Sequence, residues 1–200
     1  MALLPMTAPA RFDERFDVFA GAEMKRAKRI DAAAIAAITD LYREILPPEI
    51  PYSRIVGVGV NARELAENPF LDEWCVQDLN RNPCLPCAAA EFDGAAICVS
   101  VQHLTRPCEV FREVGRVLKP GAPLIVTFSN RCLPTRAIAC WCLLDDAGHL
   151  YLIAHHFAEA GNWSDIRCLN RTPPGGEDPL CAVIGRSLGL APRVGRDQES

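Results

Sequence analysis

Hydrophobic positions along the chain follow two different spacings. In residues 31–46 the apolar side chains recur every three or four positions, which is the period of one helical face. Four other segments are short, mostly apolar runs, which is the pattern of buried strands. These runs are residues 54–60, 74–77, 94–101 and 124–128. The sequence therefore predicts four strands in a chain that also forms helices.

Start and stop signals mark the predicted helices. Asp31 is placed to cap the first helix, which Pro47-Pro48 ends. Asn61 is placed to cap a short helix after the first predicted strand. A second, strongly amphipathic helix is predicted between Thr105 as its cap and Lys119-Pro120-Gly121 as its end. Its apolar face consists of Val110, Phe111, Val114, Val117 and Leu118.

The last third of the chain predicts two more helical segments and a hairpin. The helical segments are residues 135–144 and 146–161, and the apolar runs 166–169 and 180–184 flank a Pro-Pro-Gly-Gly turn. Strands that alternate with helices favour a parallel sheet. We therefore predict an α/β fold, a Rossmann-like doubly wound, mostly parallel sheet with a C-terminal antiparallel hairpin. One domain is expected over residues 31–200, after an N-terminal extension of residues 1–30.

Composition narrows the class of protein. Half of the 200 residues are hydrophobic and 23% are charged, which is typical of a globular chain. The net charge of −4 gives no overall attraction for nucleic acid. No apolar stretch reaches the roughly 18 residues of a membrane span. We expect a cytoplasmic protein, and the acid-poor residues before Asp13 leave a plastid or mitochondrial targeting role open.

Ten cysteines raise the question of metal binding or disulfides. Cys84 and Cys87 form one CxxC motif, and zinc sites require a second pair of ligands at comparable spacing. The sequence contains no such second pair. Without a secretory signal, disulfides are also disfavoured. We therefore predict that all ten thiols are reduced and that the protein holds no metal.

Candidate ligand contacts lie directly after the predicted strands. In an open α/β sheet, ligands bind outside the carboxyl ends of the strands. This rule singles out the residues just past each strand, which are Gly59 to Asn61, Asp78 to Asn80, Ser100 to His103 and Ser129 to Arg131. Asp78 is the strongest candidate, because a carboxylate accepts hydrogen bonds from a ligand amine or hydroxyl. The alternative is that Asp78 only caps its own loop.

Four ordered segments resemble the class I S-adenosylmethionine-dependent methyltransferases, type 11 branch. Residues 55–61 and 76–80 are similar to the second and third strands of that family, with the turns that follow them. Residues 99–104 and 110–121 are similar to the loop after the fourth strand, the next helix and the Leu-Lys-Pro-Gly turn. The resemblance covers roughly residues 30–130, and its order and spacing agree throughout.

The resemblance implies S-adenosyl-L-methionine as cofactor and methyl transfer to an unidentified acceptor. It implies that Asp78 and Leu79 flank the adenine and that Asn61 lies near the ribose. Gly59 occupies the place where the family usually has an acid for the ribose hydroxyls. Ser100 and Gln102 would line the methyl-transfer cleft.

Two departures from the family leave alternatives open. The family has a first strand and a glycine-rich loop between its early helix and its second strand, yet only about half a dozen residues separate Pro48 from Arg54 here. A parallel crossover needs a dozen or more. The chain is thus either an active methyltransferase or a non-catalytic methyltransferase-like protein, a shortened isoform or degenerate paralogue with weak or no cofactor binding. In a further alternative, residues 55–61 are themselves the first strand of a nucleotide-binding fold, with Asp78 as its ribose acid.

Overall fold

The computed structural model describes residues 2–4, 32–46, 54–130, 137–175 and 178–189. Within them, seven strands form one sheet, with helices on its two faces. In chain order the elements are β1 (Ala2–Leu4), α1 (Ala32–Ile45), β2 (Val56–Gly59), α2 (Ala62–Ala66), β3 (Glu73–Val76), β4 (Gly94–Cys98), α3 (Pro107–Val117), β5 (Pro123–Phe128), α4 (Asp146–Ala160), β6 (Trp163–Asn170) and β7 (Cys181–Ser187).

The sheet has the strand order β3-β2-β1-β4-β5-β7-β6. The four strands predicted from the sequence run parallel to one another, and the hairpin of β6 and β7 joins them antiparallel at β5. The predicted fold class is therefore confirmed. Because β2 lies beside the centre of the sheet, its position agrees with the second strand of the resemblance and not with a first strand.

The central strand β1 was not predicted. Ala2–Leu4 pairs antiparallel with β2 on one side and with β4 on the other, so that Ala2 lies opposite both Gly57 and Ala96. Without it, two strand edges would face each other with buried N–H and C=O groups to satisfy, which is costly. Three residues of the predicted N-terminal extension thus complete the sheet.

Two hydrophobic clusters pack on the two faces of the sheet. Alternate residues of a strand point to opposite faces, and β5 shows this directly, since Val126 belongs to one cluster and Ile125 to the other. On the first face, α3 and α4 contribute Phe111 and Phe157. On the second face, α1 contributes Tyr42. The sheet is therefore covered on both faces, as a doubly wound fold requires.

Some predicted boundaries were wrong. The strand predicted at 94–101 ends at Cys98, because Val99 adopts a left-handed backbone with φ of 45°. A single 3-10 turn, Val101–His103, follows. Arg106 and not Thr105 is the N-cap of α3, since Pro107 takes the first helical position, where its missing N–H costs nothing.

The helix predicted at 135–144 was also wrong over its described part. Residues 137–140 form a turn, and only Trp141–Leu143 form a short 3-10 helix. The prediction that Asp31 caps α1 falls outside the described residues. By contrast, Asn61 caps α2 as predicted, with its side-chain oxygen 3.1 Å from the N of Arg63.

Candidate functional site

The six predicted site residues all lie at one edge of the sheet. Gly59 is the last residue of β2, and the other five, Asn61, Asp78, Leu79, Ser100 and Gln102, follow the carboxyl ends of β2, β3 and β4. β2 and β4 are not neighbours, because β1 lies between them. Two inter-strand spacings therefore separate their ends, about 10 Å. That gap lies at the switch point of the strand order, where open α/β sheets bind their ligands.

The end of β2 offers few free polar groups. The side-chain oxygen of Asn61 accepts hydrogen bonds from the backbone N of Arg63 and of Glu64, at 3.1 and 3.4 Å. The carbonyl of Gly59 accepts from the backbone N of Gln77 at 2.8 Å, which ties the end of β2 to the end of β3. At this position the chain therefore presents backbone and a helix cap in place of a carboxylate.

Asp78 has a structural role in its own loop. One carboxylate oxygen accepts from the backbone N of Asn80 at 3.0 Å, and the other lies 3.5 Å from Arg81. The loop-capping role that the sequence left open is therefore present. The side chain is nevertheless 40% exposed, and each carboxylate oxygen has two acceptor positions. Asp78 can therefore accept a ligand hydrogen bond while it keeps its loop contacts.

Asn80 joins the loop after β3 to the loop after β4. Its side-chain amide donates to the carbonyl of His103 at 2.9 Å, and its oxygen accepts from the backbone N of Thr105 at 2.8 Å. The sequence placed Asn80 among the candidates after the predicted strand at residues 74–77 but did not predict this bridge. Its role depends on the approach of two loops that no local sequence pattern reveals.

The loop after β4 contains a buried polar atom that lacks a partner within the described part of the chain. Gln102 is 2% exposed, and its amide donates to the carbonyl of Val99 at 3.1 Å. Its side-chain oxygen, Oε1, is the atom without a partner. A buried acceptor left unpaired costs about 1–3 kcal/mol. Ser100, next to the left-handed Val99, is half-buried.

A cavity of about 350 Å³ lies beyond the carboxyl end of β5. Its described lining consists of Asn130, Trp141, Cys142, Leu144, Asp145, Asp146 and His149. Trp141 stacks on His149 at 3.9 Å between ring centroids, and His149 Nε2 lies 2.9 Å from the carbonyl of Trp141. The sequence did not predict this cavity, because two irregular segments and a helix N-terminus form it.

The cavity is connected to the loop that carries Ser100 and Gln102. The backbone N of Ile138 donates to the carbonyl of Gln102 at 2.9 Å, and the backbone N of Trp141 donates to the carbonyl of Ile138 at 3.0 Å. One chain of hydrogen bonds thus runs from the candidate ligand edge to the wall of the cavity.

The described residues form neither a metal site nor a membrane-spanning helix. No group of three or more His, Cys, Asp or Glu side chains in the described ranges is arranged to hold a metal ion. The nine cysteines in those ranges are free. None of the described helices is long and apolar enough to cross a membrane.

Comparisons with known proteins show a domain match and a shared fold. A family profile described as a methyltransferase domain matches residues 44–126. A search of curated protein sequences found no match. Among solved structures, an S-adenosylmethionine-dependent methyltransferase from Mesorhizobium loti is 14% identical, with 68% of this chain and 81% of that chain covered and a TM-score of 0.50.

Two further structures are similar over more of the chain. The [4+2]-cyclase SpnF is 15% identical, with 92% of this chain and 99% of that chain covered and a TM-score of 0.55. A chain of the Haloferax volcanii complex that contains the Trm112 methyltransferase activator is 14% identical, with 88% and 96% covered and a TM-score of 0.51. At these identities the likeness shows the fold alone.

The chain therefore contains a match to a methyltransferase domain over residues 44–126, within a fold shared with S-adenosylmethionine-dependent methyltransferases. Its recognisable methyltransferase domain begins within α1 and ends in β5.

The chemistry of the edge suits one half of S-adenosylmethionine. Adenosine donates hydrogen bonds from an amino group and two hydroxyls. Asp78, Ser100 and the unpaired oxygen of Gln102 are acceptors at this edge. Among the described residues, the acceptors at this edge therefore fit the adenosine half.

Proposed function

We propose that this protein binds S-adenosylmethionine at the carboxyl edge of β2, β3 and β4 and transfers its methyl group to an acceptor held in the cavity beyond β5. The observation that supports this most directly is the hydrogen-bonded connection from Gln102 through Ile138 to Trp141. Gly59, Asn61, Asp78, Leu79, Ser100 and Gln102 are the proposed cofactor contacts.

The cofactor, when bound, supplies an already activated methyl group. The chain then has to orient two molecules, and orientation alone contributes a large part of the rate in such reactions. For this reason, the site needs no catalytic triad or carboxylate pair. Asn80 holds the loop after β3 against the loop after β4. Trp141 and Leu144 would exclude water from the acceptor, since both line the cavity.

A second candidate is a non-catalytic methyltransferase-like protein. Two observations favour it. The central strand is short and reversed, and the side-chain oxygen of Asn61 is occupied by the cap of α2. The comparison with SpnF, a [4+2]-cyclase, also illustrates that one fold supports functions other than methyl transfer.

Calorimetric titration with S-adenosylmethionine and S-adenosylhomocysteine separates the two candidates. One missing hydrogen bond from a charged acceptor to the ribose costs about 1.5–3 kcal/mol, which is roughly tenfold or more in affinity. We therefore expect weak binding. Micromolar binding of either molecule would show that the present contacts suffice. The absence of binding at millimolar concentrations would support the non-catalytic candidate. Transfer of labelled methyl groups to a panel of small amines and hydroxyl compounds then tests the reaction itself.

A further inference from the structure

Two stacked rings in the wall of the cavity beyond β5 each carry a buried polar atom without a partner. Trp141 and His149 are 2% and 3% exposed, and their ring centroids lie 3.9 Å apart. Among the described residues, Trp141 Nε1 and His149 Nδ1 have no hydrogen-bond partner. Buried polar groups of this kind are rare and need an explanation. Because both rings line the cavity, a molecule bound there is in a position to pair with them.

The contacts of His149 determine which of its ring nitrogens carries a hydrogen. Nε2 lies 2.9 Å from the carbonyl oxygen of Trp141. A carbonyl only accepts, so Nε2 carries the hydrogen, and Nδ1 of the neutral ring is an acceptor. A charged ring would leave a second buried N–H without an acceptor, which is costly. His149 therefore presents an acceptor, whereas the indole N–H of Trp141 only donates.

One acceptor and one donor on neighbouring rings match a hydroxyl group. A hydroxyl donates its hydrogen and accepts through its oxygen, so it is able to pair with both atoms. An ammonium cannot accept from Trp141 Nε1, and an ether cannot donate to His149 Nδ1. Asp145 and Asp146 also line the cavity, and its described lining contains no Lys or Arg, which disfavours an anion. The described lining thus favours a neutral hydroxyl compound.

The surroundings of the two rings favour an aromatic hydroxyl. Phe128 packs edge-on to both rings, with its centroid 5.3 Å from that of Trp141 and 6.0 Å from that of His149. Leu144 adds an aliphatic side chain to the cavity lining. An aromatic ligand buries a large apolar area in such surroundings. A phenol, with a pKa of about 10, also releases its proton more readily than an aliphatic alcohol does.

We infer that the cavity binds the hydroxyl group of a phenol between Trp141 Nε1 and His149 Nδ1, and that His149 is the general base for its methylation. This inference rests on the proposed function, because it names the acceptor of the same reaction. The phenol oxygen forms a bond to the methyl carbon while the S–C bond breaks and its electron pair stays on sulfur. The phenol proton moves to His149 Nδ1. The products are an aryl methyl ether, a thioether and a protonated imidazole, which conserves atoms and charge.

NMR titration of the full chain with three matched probes tests the binding site. 4-Methylphenol donates and accepts, 4-methylanisole only accepts, and 4-methylbenzylamine carries a cation. We expect 4-methylphenol to bind at least about tenfold more tightly than either other probe, since each of them leaves one of the two buried atoms unpaired. Equal affinities for the phenol and the anisole, tighter binding of the amine, or no binding of the phenol would overturn the inference. Titration with S-adenosylmethionine would still decide the proposed function in each of these cases.

A matched pair of histidine variants tests the general base. His149→Gln keeps an amide N–H that can donate to the carbonyl of Trp141 but has no acceptor in place of Nδ1. With 4-methylphenol and S-adenosylmethionine, we expect kcat to fall by about a hundredfold or more. His155→Gln makes the same substitution at an exposed position of the same helix and should leave kcat unchanged. Equal kcat values in the two variants would overturn the role of His149.

A variant of the second ring keeps the inference testable if His149→Gln does not fold. Trp141→Phe retains an aromatic ring against His149 but removes the Nε1–H, so we expect it to weaken the binding of 4-methylphenol by about tenfold. Unchanged affinity in Trp141→Phe would overturn the hydroxyl site. Methyl transfer to the amine and not to the phenol would overturn the inference and leave the proposed function standing. Tight binding of the phenol without any methyl transfer would support the hydroxyl site and contradict both the proposed function and the general base.

Discussion

Asn80 connects two loops that are more than twenty residues apart in the chain. Its side chain makes one hydrogen bond as a donor, to His103, and one as an acceptor, from Thr105. Most of the other side chains predicted for this edge are held within their own loops: Asn61 by α2, Asp78 by Asn80 and Gln102 by Val99. At the scale of single residues, Asn80 therefore joins the loops that carry the predicted cofactor contacts.

Replacing Asn80 tests this role. Asn80→Ala leaves the carbonyl of His103 and the N–H of Thr105 without their partner, so we expect a loss of about 1–3 kcal/mol in the free energy of unfolding. Asn170→Ala is the matched control, because Asn170 makes one local contact, to the N of Thr172 on the far hairpin. Urea denaturation of both variants measures the difference. Equal losses of unfolding free energy in the two variants would show that the contacts of Asn80 with His103 and Thr105 contribute no more than one local turn contact.

His156 gives the protein a pH dependence at mildly acidic pH. Burial, and to a smaller extent the nearby His155, lowers the pKa of His156 from 6.5 to about 4. The neutral ring is favoured in the folded protein, so the unfolded chain takes up the proton first as the pH falls. Stability is therefore fully present above about pH 6.5 and is lost as the pH falls toward about 4.

Measurements of the free energy of unfolding at pH 7 and pH 5 test whether stability falls with pH as expected. Uptake of one proton on unfolding lowers the free energy of unfolding by at most about 1.4 kcal/mol per pH unit. The partial exposure of His156 makes the actual loss smaller. We expect His156→Gln to lose less stability between these pH values than the parent chain, and the neighbouring His155→Gln to reduce that loss only slightly, since His155 is the smaller cause of the shift. Glu91 does not interfere, because Arg54 holds the pKa of its carboxyl below 4.5. A larger loss in His156→Gln would contradict this account.

At the scale of elements, β1 has an importance out of proportion to its length. Its three residues pair with the facing edges of both β2 and β4 and so provide partners for backbone N–H and C=O groups there. The neighbouring strands could not pair directly without moving the two halves of the sheet together. The rest of the sheet is bound more extensively, since β5 and β7 pair over six positions.

A proline substitution in β1 tests how much this strand contributes to stability. Leu3→Pro removes one backbone N–H from the central strand, where proline is not tolerated. We expect a loss of about 1–3 kcal/mol in the free energy of unfolding, the cost of an unpaired buried group. Leu3→Ile keeps the N–H and suits a strand, so it should remain close to the parent. A Leu3→Pro variant with unchanged thermal unfolding would mean that β1 does not hold the sheet together.

At the scale of the whole molecule, the state of the ten cysteines determines whether the protein can form disulfides or bind a metal through thiolates. Burial raises the pKa of the Cys181 thiol to about 11 and also raises the pKa of Cys87. Thiols of this kind are poor nucleophiles at neutral pH. Reduced, metal-free cysteines remain a prediction for the complete chain.

Thiol titration and elemental analysis test that prediction. We expect ten thiols to react in denaturant, a smaller number to react quickly in the native protein, and no stoichiometric zinc. Cys84 and Cys140 serve as internal references, because both are exposed. Fewer than ten thiols in denaturant would reveal a disulfide, and one zinc per chain would reveal a site outside the described ranges.

The sequence by itself determined the strands β2 to β7 and the helices α1, α2, α3 and α4. In each of these elements, the spacing of the apolar residues indicates locally which side of the element is buried. The sequence also determined that Gly59, Asn61, Asp78 and Ser100 share one edge, because parallel strands end on the same side of a sheet.

Only the tertiary structure decided the identity and direction of the central strand. Ala2–Leu4 is too short to show a period, and its pairing depends on the vacancy between β2 and β4, more than 50 and 90 residues away. The bridge made by Asn80 and the cavity beside Trp141 likewise depend on contacts between distant segments. A local sequence pattern indicates which residues are buried. The strand that pairs with a buried edge is instead determined by the free energy of the whole sheet.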